Sequence, residues 1–88
     1  MATYKIPTSR MIRAARGLLG LDQTEFAEAL GVARKTIIRI EADDAEPTNP
    51  RRLAMHKAIR EKLEDEFNIR FVFASKVSGE GVVMKRGS

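Results

Sequence analysis

Three cations fall within one six-residue segment: Arg34, Lys35 and Arg39, with Thr36 and Ile38 between them. Fixed positive charges carrying hydrogen-bond donors suit a polyanion, so the chemistry they offer is binding. Other chemistry has thinner support. His56 is the only histidine, and nothing is spaced to join it in metal binding or proton transfer. It reads as a structural side chain, on a helix surface or half-buried. Glu61, Glu64, Asp65 and Glu66 sit among Lys57, Arg60 and Lys62. That suits a solvated helix face with i,i+4 pairs rather than carboxyls in an apolar cleft. Gly17, Gly20, Gly79 and Gly81 lack the spacing of a phosphate-binding loop. Cysteine is absent, which removes disulfides, thiolate nucleophiles and cysteine-ligated zinc. With no nucleophile–base set and no metal cluster in the sequence, neither an enzyme nor a cofactor is expected.

The charge is unevenly placed. Residues 1–42 carry seven basic and four acidic groups, residues 43–68 five and seven, and residues 69–88 four and one, within a total of +4. The first segment therefore offers a polyanion-facing surface and the middle one does not. At 88 residues the chain holds one small core. No apolar run is long enough for a membrane span or a secretion signal, so a cytoplasmic protein is expected. Without disulfides, so short a chain needs compact helix packing, a partner subunit, or both.

Helical punctuation positions the cations. A first helix is expected after Pro7, capped by Thr8 or Ser9 and closed by Gly20, with Met11, Ile12, Ala15, Leu18 and Leu19 at helical spacing. Asp22 and Glu25 form a capping-box pattern ahead of Phe26, Ala27 and Leu30, and Gly31 ends that second helix. A third helix follows over 33–42. At about 100° per residue its cations centre almost opposite Ile37 and Ile40. One side is built for burial and the other for contact. After the acidic loop 43–48, Asn49 and Pro50 start a fourth helix that runs to about Phe67. Along it Leu53, Met55 or His56, Ile59, Leu63 and Phe67 line one side. The period then changes to two. Residues 69–73 and 82–86 read as strands of a hairpin with its loop around 75–81.

Two short helices joined by a turn of about three residues form a helix-turn-helix. The unit needs a small residue at the helix crossing, and Ala27 stands there. It needs tolerance of positive φ at the turn, and Gly31 supplies it. Ile37 and Ile40 supply the buried side of the second helix.

The run LDQTEFAEALGVARKTIIRIE, from Leu21 to Glu41, resembles the signature of the Cro/C1 (XRE-type) helix-turn-helix DNA-binding proteins. The resemblance covers about residues 9–66. It implies a mainly α fold, a compact lambda-repressor-like domain of four to five helices, here with a C-terminal β-hairpin. The divisions expected are an arm over 1–8, the DNA-binding domain over 9–67 and the hairpin over 68–88. By position the resemblance implies that Gln23 bonds a DNA phosphate and buttresses the recognition helix, and that Thr24 beside it belongs to the DNA-binding set. It places Arg34, Lys35, Thr36 and Arg39 on base edges or backbone in the major groove. Arginine is the usual bidentate reader of guanine, and Ile38 suits a thymine methyl. The resemblance also pairs Arg16 with Glu41 in an internal ion pair.

Some readings stay open. Arg13 is either a phosphate clamp or a solvated helix residue. The acidic loop 43–48 either tilts away from DNA or is offset by Arg51 and Arg52. Ala33 stands where a capping Ser or Thr is usual, at a cost of about 1 kcal/mol. The apolar hairpin residues Ile69, Phe71, Phe73, Val82 and Met84 either cover their own core or form a sheet across a two-fold axis, and dimerisation is favoured. The function expected is a dimeric regulator, a repressor, reading a palindromic operator in double-stranded DNA. The alternative is an antitoxin or other interaction protein that neutralises a partner and autoregulates its operon.

Overall fold

The computed structural model describes residues 6–42, 49–73 and 79–84. The N-terminal arm over 1–5, the acidic loop 43–48, most of the hairpin loop, and Lys85 and Arg86 of the expected second strand lie outside the described residues. Four helices, α1 (Ser9–Leu19), α2 (Gln23–Leu30), α3 (Arg34–Ala42) and α4 (Pro50–Glu66), precede two strands, β1 (Ile69–Val72) and β2 (Gly81–Met84). Among the described residues no helix is long and apolar enough to cross a membrane.

Three of the four helices, α1, α2 and α4, begin where a side chain answers a free backbone N–H. Thr8 accepts from the Met11 N–H at 3.2 Å. Asp22 accepts from the Glu25 N–H at 2.8 Å, and the Glu25 carboxylate accepts from the Asp22 N–H at 3.0 Å, closing a capping box. Asn49 accepts from the Arg51 N–H at 2.8 Å with Pro50 opening the helix. Only α3 begins on a residue with no polar side chain: Ala33 contributes just its carbonyl, which accepts from Thr36 and Ile37. Gly20 and Gly31 end α1 and α2 at φ 71°, where a Cβ would be strained. Asn68 makes the remaining sharp joint, from α4 into β1, at φ 57°; asparagine tolerates that region better than most side chains.

One core joins all four helices and the hairpin. Met11, Ile12 and Ala15 of α1 meet Phe26, Ala27 and Leu30 of α2, Ile37 and Ile40 of α3, Ile59 and Leu63 of α4, and Ile69 and Phe71 of β1. Burying each large side chain contributes about 1.5–3 kcal/mol. The strands are antiparallel, with Ile69 opposite Met84 and Phe71 opposite Val82. That register puts all four on one face, and the face roofs the helices: β1 packs on α4 and β2 on α1.

Of the two readings left open for the hairpin, Ile69 and Phe71 take the core-covering one. Ile69 and Phe71 are core residues of their own chain, 0% and 5% exposed, and Phe73 and Val82 pack half-buried against the same core. The short helices leave an apolar floor that the hairpin must cover. Among the described apolar residues of the hairpin, only Met84, at 48%, and Val83 on the opposite face, at 42%, stay open.

His56 also differs from expectation. It is fully buried, and its Nδ1–H donates to the Pro7 carbonyl at 2.8 Å. The imidazole thus ties the chain ahead of α1 to α4. Its Nε2 has no hydrogen-bond partner among the described residues. Burial is the main cause that pushes its pKa down, and Arg52 adds to the shift, against the Pro7 bond.

Candidate nucleic-acid interface

The two helices that frame the candidate site meet through a tight turn. At its start the Gly31 N–H donates to the Glu28 carbonyl at 3.2 Å, and the Val32 N–H donates to the Ala27 carbonyl at 3.0 Å. These bonds satisfy the last carbonyls of α2 while Gly31 reverses the chain. Three residues later α3 begins, with Ile37 and Ile40 pressed into the core at 0% and 5% exposure. The opposite side is open. Arg34, Lys35, Ile38 and Arg39 are all exposed, forming a cationic ridge with one aliphatic side chain. Thr36 is half-buried. It shares a groove of about 360 Å³ with Arg39, Ile40, Arg51, Arg52 and Met55. The sequence suggested Arg51 and Arg52 only as an offset to the acidic loop; the fold brings both beside Arg39.

A ridge reads a surface only if its angle is fixed, and Glu41 fixes this one. Its side chain is 4% exposed. Arg16 of α1 donates to it through Nε and Nη2, both at 2.8 Å, in a two-pronged pair. Gln23, the first residue of α2, donates its amide at 3.2 Å. Arg16 also donates to the Leu21 carbonyl at 3.1 Å, bracing the joint between α1 and α2. Three helices thus converge on one carboxylate. Hydrogen bonding to Glu41 is the main cause that raises the Arg16 pKa, aided by charge and opposed by burial.

Arg13 also reaches α3. Its Nη1 donates to the backbone carbonyl of Glu41, so it caps the C-terminal turn of α3, where carbonyls lack helical partners and a cation is favoured. Nothing local in the sequence signals this, because Arg13 and Glu41 meet only through the packing of α1 on α3. Gln23 likewise turns its amide inward, while Thr24 beside it is exposed at the start of α2.

A family model described as helix-turn-helix matches residues 12–65, well over half of the chain. The match begins inside α1 and ends at the last turn of α4, so it spans the ridge, the turn and the Glu41 network. No curated protein and no solved structure matches the chain.

Proposed function

The chain belongs to the Cro/C1-type (XRE) helix-turn-helix family of DNA-binding transcription regulators, and we propose that it is a repressor that reads a palindromic operator as a homodimer. The α3 ridge enters the major groove, with Arg34 and Arg39 reading guanine edges and Lys35 and Thr36 meeting bases or backbone. Ile38 contacts a thymine methyl. Gln23 and Thr24 at the start of α2 lie on a phosphate, where free N–H groups favour an anion. The observation that carries this reading is the opposition on α3: Arg34, Lys35, Ile38 and Arg39 face out while Ile37 and Ile40 are sealed in. One such helix makes few contacts, and two copies reading half-sites about 34 Å apart supply the rest.

The test is a footprint and a binding titration on DNA upstream of the protein's own gene. A symmetric footprint is expected, with affinity falling steeply as salt rises. Lys35→Glu and Arg39→Glu should each abolish specific binding with helicity unchanged. Full binding by both ridge variants would overturn the assignment of α3.

A further inference from the structure

We propose that Arg13 is a positioning residue for operator reading. It holds the C-terminal turn of α3, and with it Arg39, at the angle the major groove requires, and it acts through α3 rather than on a phosphate. The inference rests on the DNA-binding reading above and adds a residue of α1 to it. Arg13 and Arg16 stand one helical turn apart on α1 and take hold of the same residue. Arg16 donates to the Glu41 carboxylate through Nε and Nη2, both at 2.8 Å, and Arg13 donates through Nη1 to the Glu41 backbone carbonyl. A side-chain bond alone leaves the helix free to shift about the rotatable bonds of Glu41. A second bond, to the main chain of the same residue, removes that freedom.

Such a hold matters more for α3 than for its neighbours. The helix is nine residues long, too short to stand alone in water. Its start has only the Ala33 carbonyl, whereas the side chains of Thr8, Asp22 and Asn49 cap the other three helices. Its end gathers negative charge. The last carbonyls lack helical partners, and the Glu41 carboxylate, 4% exposed, belongs to the same turn. Two cations from α1 answer both. Arg39 stands two residues before Glu41 and is exposed on the ridge. Arg34 stands seven residues before Glu41, about 10 Å back along the helix. Loosening the C-terminal turn therefore displaces Arg39 first. Arg13 is itself half-buried, its guanidinium turned to the end of α3.

Binding titrations of the full chain over a range of salt, on the footprinted operator and on unrelated DNA, test this. Arg13→Met should lose about tenfold on operator, within what an arginine base contact is worth. On unrelated DNA its affinity should stay within about twofold of the parent's, with the slope of log K against log salt unchanged. A phosphate clamp gives a different pattern: affinity lost on both DNAs, and a slope smaller in magnitude by about 0.9. Coupling to Arg39 is the second readout. With Arg39→Ala already in place, Arg13→Met should cost less than about threefold on operator, because it acts through that side chain. Arg13→Lys decides the matter if Arg13→Met does not fold. Lysine serves a phosphate as a point charge, so a clamp would keep its binding. A single flexible donor in place of the planar fork should instead cost at least about threefold on operator and nothing on unrelated DNA. Parent-like operator binding by Arg13→Met, or the clamp pattern, would overturn the role of Arg13 and leave the DNA-binding reading standing. A parent chain with no preference among DNA sequences would overturn that reading itself.

Discussion

Removing Arg16 should cost this fold more than removing Glu41, although the two make the same ion pair. The asymmetry follows from where each charge is left. In Arg16→Met the Glu41 carboxylate stays behind with its side chain 4% exposed and, among the described residues, only the Gln23 amide, at 3.2 Å, still bonded to it. Breaking a buried pair from that side costs about 3–5 kcal/mol. Arg16 is a quarter exposed, so water enters along its path and the lower end, about 3 kcal/mol, is expected. In Glu41→Gln the charge left behind is the guanidinium. It keeps the Leu21 carbonyl at 3.1 Å and its access to solvent, so about 1–2 kcal/mol is expected. The double variant leaves no buried charge and should lose clearly less than the sum of the two. Urea unfolding at neutral pH measures all three. In a domain of this size each kcal/mol also moves Tm by about 4–8 °C. Equal losses under about 0.5 kcal/mol that add in the double variant would mean a solvated surface pair. The claim that Glu41 sets the angle of α3 would then fail.

Two further predictions come from single side chains. The depressed His56 pKa means that the unfolded chain takes up this proton more readily. Its contribution to stability is therefore full above about pH 6.5 and is lost as pH falls through that range toward the folded value. Urea midpoints at pH 7.5 and 5.5 should differ less in His56→Leu than in the parent; an unchanged difference would show that His56 does not carry the effect. Gly17 and Gly31 should respond oppositely to alanine, although a Cβ meets nothing within 4 Å at either. Gly17 is interior to α1, so alanine should stabilise by about 0.5–1 kcal/mol. Gly31, at φ 71°, should lose about 1 kcal/mol or more. The same sign at both in denaturant unfolding would refute the backbone argument.

What the sequence made legible was local. The caps at Thr8, Asp22 and Asn49, the glycines at 20 and 31, and the two faces of α3 are properties of a few neighbouring residues and their periodicity. Four helices and a hairpin followed from those marks. What it left obscure depended on which elements meet. His56 was read as a surface or half-buried residue because α4 has apolar or small residues on several sides. No stripe distinguished His56 from Met55, and only the approach of Pro7 decides between them. Ile69 and Phe71 alternate as a dimer strand would, and alternation identifies a buried face without naming what buries it. Arg13 reaches across 28 positions to Glu41, a separation that no short-range pattern encodes.

These long-range contacts give α1 a part that its sequence hid. At its start Thr8 and Arg10 reach Glu80, at 3.4 and 2.8 Å, just ahead of β2. Further along, Arg13 and Arg16 hold the end of α3 through Glu41. The Arg10–Glu80 bond is open to water and worth at most about 1 kcal/mol. The strong coupling is the shared core, in which Met11, Ile12 and Ala15 are sealed and Val82 packs against the same cluster. One eleven-residue helix therefore joins the hairpin to the cationic ridge.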